Sequence, residues 1–287
     1  MSVSSVVFLG TSAFAVPALR ALHADPRFRI DLVVTQPDKP VGRKQILTPS
    51  PIKVLAEELK LHVLQPEKIS ELPATRYPLP ATPDFLIVIS YGQILPQKLL
   101  DWPRIAPINV HGSLLPTLRG ASPVHHAILQ GLTETGVTVQ RMVKALDAGP
   151  ILASQAISID TREKTTTLME KLAEMGASLL LKTLSQSLNE TPQDESAVTF
   201  CSKLKKEDGI VDPSQQDAQT IDRMVRALTP WPGVTIRGNK ILETSLEQGA
   251  DDLALTCANN TNVFIRSIQP PSGKPMTGKA FSLGRSL

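Results

Sequence analysis

Short apolar runs alternate with stretches of helical spacing along the first two thirds of the chain. The run over 6–9 is continuously apolar and ends at Gly10. Thr11-Ser12 then leads into a helical pattern over 14–23. The same switch from period-free apolar run to helix recurs, which is how a buried strand followed by a covering helix reads. Residues 29–35 predict a second strand. Residues 52–61 predict an amphipathic helix with Ile52, Leu55, Ala56 and Leu59 on one face, and 62–64 a short strand. Residues 84–90 and 105–110 are further buried strands, with a helix near Lys98 between them. Residues 36–51 predict an exposed loop rich in Pro, Gly and basic residues, and 71–83 irregular proline-rich surface. Strands alternating with helices predict an α/β fold built on a doubly wound, mostly parallel sheet.

Further on, 123–130 reads as a helix, and 136–143 and 151–159 as two paired strands of alternating polarity. A long helix follows over 165–188, with Leu168, Leu172, Leu179 and Leu180 inward. The pattern changes near Thr191. Residues 199–212 are polar and lysine-bearing, a helix over 220–228 closes at Thr229-Pro230-Trp231-Pro232-Gly233, and short strands fall at 234–237, 254–257 and 263–268. The division is a first domain over 1–190, a linker over 191–212 and a small β domain over 213–287.

With 287 residues, 41% hydrophobic and 20% charged, the chain has the material for two globular domains and is no disordered segment. Cys201 and Cys257 lack metal-ligand spacing and read as free thiols in a reducing compartment. No run reaches the length of a membrane span. The first apolar run is short and has no cation before Arg20, so it is a strand, not a leader, and the location is cytoplasmic. A net charge of +3 decides little by itself. No acid follows Asp252, whereas Arg266, Lys274, Lys279 and Arg285 do, which fits a solvated tail or a surface for an acidic partner equally.

The candidate chemistry centres on Asn109 and His111. Two apart on a strand, they leave from one face. At the carboxyl end of a strand in an open α/β sheet, that face meets ligand. A carboxamide donates to an oxygen gaining charge, and an imidazole moves a proton near neutral pH. Asp147, in Leu146-Asp147-Ala148-Gly149-Pro150, is either a turn former or a carboxylate that orients His111. The three together suit acyl transfer. Gly10 is not followed by the full G-x-G-x-x-G pattern, which argues against a dinucleotide site. His125 and His126 are adjacent and point about 100° apart on a helix, so they do not share a metal.

These residues resemble the 10-formyltetrahydrofolate-dependent formyltransferases. The resemblance is carried by Asn109-x-His111-Gly112 with Ser113-Leu114-Leu115-Pro116, by Arg119-Gly120, and by Asp147 in its Leu-Asp-x-Gly turn. Phe8-x-Gly10-Thr11 and Phe14-Ala15-Val16-Pro17 add to it. Thr35-Gln36-Pro37-Asp38-Lys39-Pro40-x-Gly42-Arg43 and Pro230-Trp231-Pro232 resemble the branch whose acceptor is methionyl-tRNA. The resemblance covers nearly the whole chain. It implies a Rossmann-like catalytic domain and a smaller OB-like barrel that adds tRNA affinity. It implies transfer of the formyl group of 10-formyltetrahydrofolate, without metal, to the α-amino group of initiator methionyl-tRNA by a monomeric enzyme. Asn109 would hold the formyl oxygen, His111 would handle the proton of the attacking amine, and Asp147 would orient His111. Ser113, Leu114, Leu115 and Pro116 would line the reduced-folate site, with main-chain groups. Arg43 and Lys44 would contact tRNA from the 36–51 loop, and Lys203, Lys205 and Lys206 from the linker. The chain is short for that family, with the missing length around 243–253. Two other readings stay open: a formyltransferase acting on a sugar nucleotide or other amine, and a folate- or RNA-binding protein without turnover.

Overall fold

The structure, a computed structural model, describes residues 3–42, 44–74, 81–284 and 287. In chain order the elements are β1 (Ser4–Gly10), α1 (Val16–Ala24), β2 (Phe28–Val34), β3 (Lys39–Val41), β4 (Ile46–Thr48), α2 (Pro51–Glu58) and β5 (Val63–Leu64). Then come β6 (Phe85–Ile89), α3 (Gln97–Leu100), β7 (Ala106–His111), β8 (Arg119–Gly120), α4 (Pro123–Leu129), β9 (Glu134–Arg141), β10 (Ile151–Ser158) and α5 (Thr165–Leu184).

Seven strands form one sheet in the order β10-β9-β7-β6-β1-β2-β5. β5, β2, β1, β6 and β7 run parallel, and β9 is antiparallel to β7. The sheet is mostly parallel, as the alternation of strands and helices requires. Val6, Val7, Phe8 and Leu9 are all fully buried, so β1 is covered on both faces, and this is why its apolar run is continuous. Chain order reverses direction between β1 and β6. At the carboxyl ends around that point, Thr11 and Gln36 both donate to the Tyr91 carbonyl, at 2.9 and 2.7 Å. Burial pushes the Tyr91 hydroxyl up to about 12.

Residues 36–51 are exposed as expected but are not free of sheet. β3 and β4 pair as an antiparallel hairpin, with Val41, Ile46 and Leu47 exposed on it. Strand-forming Val41, Ile46 and Leu47 are separated by a Gly42 turn at φ +71°, a hairpin signal outweighed in the sequence by the surrounding prolines. Residues 69–74 form a short 3₁₀ helix within the proline-rich stretch, and 75–80 lie outside the described residues.

The chain folds as two compact units that interleave. One holds Met1–Arg119, Gly136–Ala156 and Met169–Phe200. The other holds Gly120–Thr135, Ile157–Leu168 and Cys201–Leu287. A linear division after residue 190 does not show this return, because α4 packs on a helix near residue 220 that is distant in sequence.

The second unit carries β11 (Phe200–Cys201, whose Phe200 falls in the first unit), α6 (Ala218–Leu228), β12 (Val234–Ile236), β13 (Asn239–Ser245), β14 (Leu253–Cys257), β15 (Thr261–Gln269), β16 (Met276–Thr277) and α7 (Gly278–Ser282). Its strands are antiparallel in the order β12-β13-β15-β14, with β16 also on β15. Strand β13 escapes sequence reading because its inward positions include Thr244 and Ser245 rather than apolar residues. Thr244 donates at 2.9 Å to Asp222, which is 1% exposed and also receives Arg162 and Arg226. A buried carboxylate so paired specifies how α6 sits on the strands. The C-terminal cations are not all free for a partner: Lys279 pairs with Asp251 and Arg266 with Asp252. Lys274 is exposed, and Arg285 lies outside the described residues. Among the described residues, no helix is long and apolar enough to cross a membrane.

Candidate active site

Register builds the site. On β7, Asn109 lies opposite Gln140 of β9, and His111 opposite Thr138. Cross-strand partners share a face of the sheet, so these two pairs stand side by side on it. On the other side of β7, Asn109 is paired with Val88 of β6. The Asn109 Nδ2 donates to the Val88 carbonyl oxygen at 2.8 Å, and its Oδ1 accepts from Gln140 Nε2 at 3.1 Å. The same Gln140 Nε2 donates to Asp147 Oδ1 at 3.2 Å.

Asp147 reaches this cluster because its turn folds back on the end of β9. A Cβ on Gly149 would lie 1.7 Å from the Arg141 carbonyl oxygen, so only glycine allows that approach. Asp147 itself is left-handed, at φ +50°, a conformation that aspartate tolerates in turns. Gln193 holds the turn, donating to the Asp147 and Gly149 carbonyls at 2.8 and 2.7 Å. Buried Arg119 fixes Gln193 in turn, at 2.8 Å from its Oε1, and pairs with Glu195 at 2.7 Å. Asp147 is therefore a turn former whose carboxylate also reaches Gln140 and His111.

His111 is 6% exposed. Its Nε2 lies 2.9 Å from the Leu118 carbonyl oxygen, and its Nδ1 lies 3.7 Å from Asp147 Oδ2. A carbonyl only accepts, so Nε2 carries the hydrogen of the neutral ring and Nδ1 carries the lone pair. The carbonyl of Leu118 sets the tautomer, and the carboxylate faces the atom that would take a proton.

Ser113, Leu114, Leu115 and Pro116 follow His111 after Gly112, but several of their polar groups turn inward. Thr138 Oγ1 donates to the Ser113 carbonyl at 2.8 Å and accepts from the Leu115 N–H at 3.0 Å. Ser113 Oγ donates to the Thr117 carbonyl at 2.6 Å, and the Leu114 carbonyl accepts from Thr117 Oγ1 at 2.6 Å. Thr138 thus holds the Ser113 carbonyl and the Leu115 N–H, two of the main-chain groups of the segment expected to line the folate site. A cavity of about 470 Å³ in the same unit is lined by Lys68, Ile69, Gln93, Ile94, Leu95 and Lys144, and Asn109, His111 and Asp147 do not line it.

Lys44 is exposed in the turn of the β3–β4 hairpin, whereas Arg43 lies outside the described residues. Asp38 does not neutralise that turn. Its Oδ2 receives Lys53 at 2.7 Å, and this bond, with that from Gln65, holds its carboxyl below the usual range. Lys203, Lys205 and Lys206 are exposed in the second unit, with Glu207 and Asp208 next in sequence. Cys201 and Cys257 are buried and form no disulfide. Among the described residues there is no group of three or more His, Cys, Asp or Glu able to hold a metal ion.

Sequence reasoning missed Gln140, Thr138 and Gln193. Thr138 and Gln140 had a visible signal, being polar at alternate positions of an otherwise apolar strand beside that of Asn109. Gln193 had none, since it lies 46 residues from the turn it holds.

A carboxamide donor, an imidazole with its lone pair on Nδ1 and a carboxylate stand together at the carboxyl end of a strand in a doubly wound sheet. The chain belongs to the formyl transferase family: residues 4–184 match the formyl transferase pattern and 203–286 that of its C-terminal domain. It is 40% identical to the methionyl-tRNA formyltransferase of Lysinibacillus sphaericus, over 98% of this chain and 96% of that one. It is 38% identical to that of Enterococcus faecalis over the same shares. The first alignment runs to 302 positions, so the relative carries segments that this chain of 287 residues lacks. In fold it is similar to an N-formyltransferase from Helicobacter canadensis solved with folinic acid and dTDP-3-aminofucose. That likeness has a TM-score of 0.66 at 15% identity, over 92% of this chain and 98% of the other. HypX from Aquifex aeolicus, solved with tetrahydrofolic acid, matches with a TM-score of 0.63 at 17% identity, over 99% of this chain and 47% of its own.

Proposed function

We propose that this chain transfers the formyl group of 10-formyltetrahydrofolate to the α-amino group of initiator methionyl-tRNA, in the cytoplasm and as a monomer. The observation that carries it is the convergence of Asn109, His111 and Asp147 at the end of β7, in a chain similar over nearly its whole length to methionyl-tRNA formyltransferases. The sugar-nucleotide reading rests only on fold likeness at low identity. A binding protein without turnover would have no use for a lone pair on Nδ1 facing a carboxylate.

The folate supplies a formyl carbon on a nitrogen leaving group. Asn109 Nδ2 has given one hydrogen to Val88 and keeps the second for the formyl oxygen as negative charge grows there. His111 takes the proton of the attacking amine at Nδ1 as the new bond to the formyl carbon forms, and the charge formed on the ring faces Asp147. As the bond from that carbon to the folate nitrogen breaks, the nitrogen takes the proton back from the ring and leaves as tetrahydrofolate. No residue has to form a covalent bond, and no metal is needed. Ser113, Leu114, Leu115 and Pro116 shape the donor site as a rigid, internally bonded wall. The apolar Ile69, Ile94 and Leu95, with Lys68 and Lys144 beside them, fit a flat heteroaromatic donor with a carboxylate tail. Arg43 and Lys44 would meet tRNA phosphates from the first domain, 1–190, and Lys203, Lys205 and Lys206 from the linker, 191–212. Residues 213–287 would add affinity for tRNA as an OB-like domain.

The test is to supply formyl-folate with methionyl-tRNA, a nucleotide-linked amino sugar or glycinamide ribonucleotide in turn. Formylation of methionyl-tRNA alone is expected. A formylated sugar would overturn the acceptor, and no product with any acceptor would overturn transfer itself.

A further inference from the structure

We infer that Gln140 is a positioning residue for this transfer, fixing which end of the Asn109 carboxamide donates and tying Asp147 to it. The inference rests on the formyl-transfer reading of the site. A carboxamide presents a donor end and an acceptor end of nearly the same shape. Only the NH₂ end can stabilise an oxygen that is gaining negative charge, so the orientation of Asn109 must be set. It is set from both neighbouring strands. Val88, its partner on β6, accepts from Nδ2 at 2.8 Å, and Gln140, its partner on β9, donates to Oδ1 at 3.1 Å. Rotating the amide by half a turn would put NH₂ against NH₂ on one side and oxygen against oxygen on the other. The second Gln140 bond, 3.2 Å to Asp147 Oδ1, leaves Oδ2 of that carboxylate facing His111. One NH₂ group thus sets the geometry of two of the three site residues.

The other end of the Gln140 amide brings no hydrogen bond to the fold. The residue is 2% exposed, and its Oε1 has no hydrogen-bond partner among the described residues. A buried unpaired acceptor destabilises, and methionine would fill the same space without it. The amide is best explained by what its Nε2 does.

The experiment compares the full chain with Gln140→Met and Gln140→Glu, using methionyl-tRNA and 10-formyltetrahydrofolate. Methionine keeps the length and removes the donor. Its kcat is expected to fall about tenfold or more, as small misplacements at reacting centres do. Both KM values should stay within about twofold, the sign of an interaction that acts in the transition state only. Gln140→Met removes one buried unpaired acceptor but leaves Asn109 Oδ1 without its donor, so its melting temperature should change little. Glutamate, which sets a carboxylate against two acceptors, should lower kcat further than methionine. A Gln140→Met kcat within about twofold of the unaltered chain would overturn the positioning role while leaving formyl transfer intact. A melting temperature that drops together with kcat would overturn it in favour of a structural role. An unaltered chain that formylates no methionyl-tRNA would overturn the underlying reading, and this inference with it.

Discussion

His111 Nδ1 faces Asp147 Oδ2 across 3.7 Å while its Nε2 is held at 2.9 Å by the Leu118 carbonyl. The carboxylate is near enough to meet a charge on the ring, whereas the neutral ring, with its hydrogen on Nε2, has none at Nδ1 to give it. Its work therefore begins when the proton arrives. Asp147→Asn keeps the shape and removes the charge, so kcat is expected to fall on the order of 100-fold with little change in the KM for methionyl-tRNA. His111→Ala and Asn109→Ala should each cost roughly 100-fold or more. Protection by a folate analogue in thermal melting should survive in all three. Near-native turnover in any of them would contradict its assigned part.

Thr138 offers a test of the wall that follows His111. Its fully buried hydroxyl serves the Ser113 carbonyl and the Leu115 N–H together. Thr138→Val preserves volume and leaves both groups unpaired. A loss of about 1–3 kcal/mol in denaturant unfolding is expected, because buried unsatisfied backbone groups cost that much. Turnover should fall with it, since the strand end carrying His111 loosens. Unfolding at the native midpoint would show that the hydroxyl is dispensable.

Transfer is expected to survive dialysis against EDTA, with no gain on adding zinc. The proposed transfer uses the donor of Asn109, the base of His111 and the carboxylate of Asp147, and asks nothing of an ion. Activity lost to EDTA and restored by zinc would require a different chemistry.

Most of the sheet was legible because both of its faces are buried. Val6 to Leu9 and Phe85 to Ile89 are unbroken apolar runs, and an apolar run of that length between turn residues has few other solutions. That Asn109 and His111 share one face of the sheet was legible from period alone. The hairpin β3–β4 and strand β13 were not, since one is exposed on its apolar side and the other buries hydroxyls. What could not be read locally was register. Gln140 enters the site only because β9 pairs antiparallel to β7 with Gln140 opposite Asn109. Leu118 enters only through a main-chain atom, which has no sequence signature.

Asp84 ties the start of β6 to β1. Its carboxylate accepts from the Ser5 N–H at 2.9 Å and from Arg104 Nε at 2.8 Å. Burial pushes this carboxyl up, but those bonds outweigh it and hold it below its ordinary 3.8. A carboxyl lowered by folding adds stability that is complete above its unfolded value and is lost as pH falls through the folded one. Acid unfolding should therefore steepen below about pH 4. Asp84→Asn should be less stable at pH 7 by roughly 1–2 kcal/mol, at the low end for charged bonds because Arg104 is exposed. It should also show a shallower decline below about pH 4. An unchanged acid limb would assign the transition to other carboxylates.

The hairpin of β3 and β4 offers the sharpest test of the acceptor. Lys44 sits exposed in its turn, next to Arg43 in sequence, and the nearby acid Asp38 is already held by Lys53 and Gln65. A cation without a local counter-charge, beside the exposed Val41, Ile46 and Leu47, is suited to a polyanion that also presents an apolar surface. Each phosphate neutralised releases counterions, so affinity falls with salt in proportion to the number of such contacts. Removing both cations by Arg43→Ala with Lys44→Ala should raise the KM for methionyl-tRNA at low salt. It should reduce the log–log salt slope by about 2, close to one per contact. The KM for formyl-folate should not move, and the melting temperature should hold, because Lys44 is exposed and the change leaves the core untouched. Steady-state kinetics at two ionic strengths decide it. A KM for methionyl-tRNA that is unchanged at both would remove the hairpin from the tRNA interface and leave binding to other cations, Lys203, Lys205 and Lys206 among them.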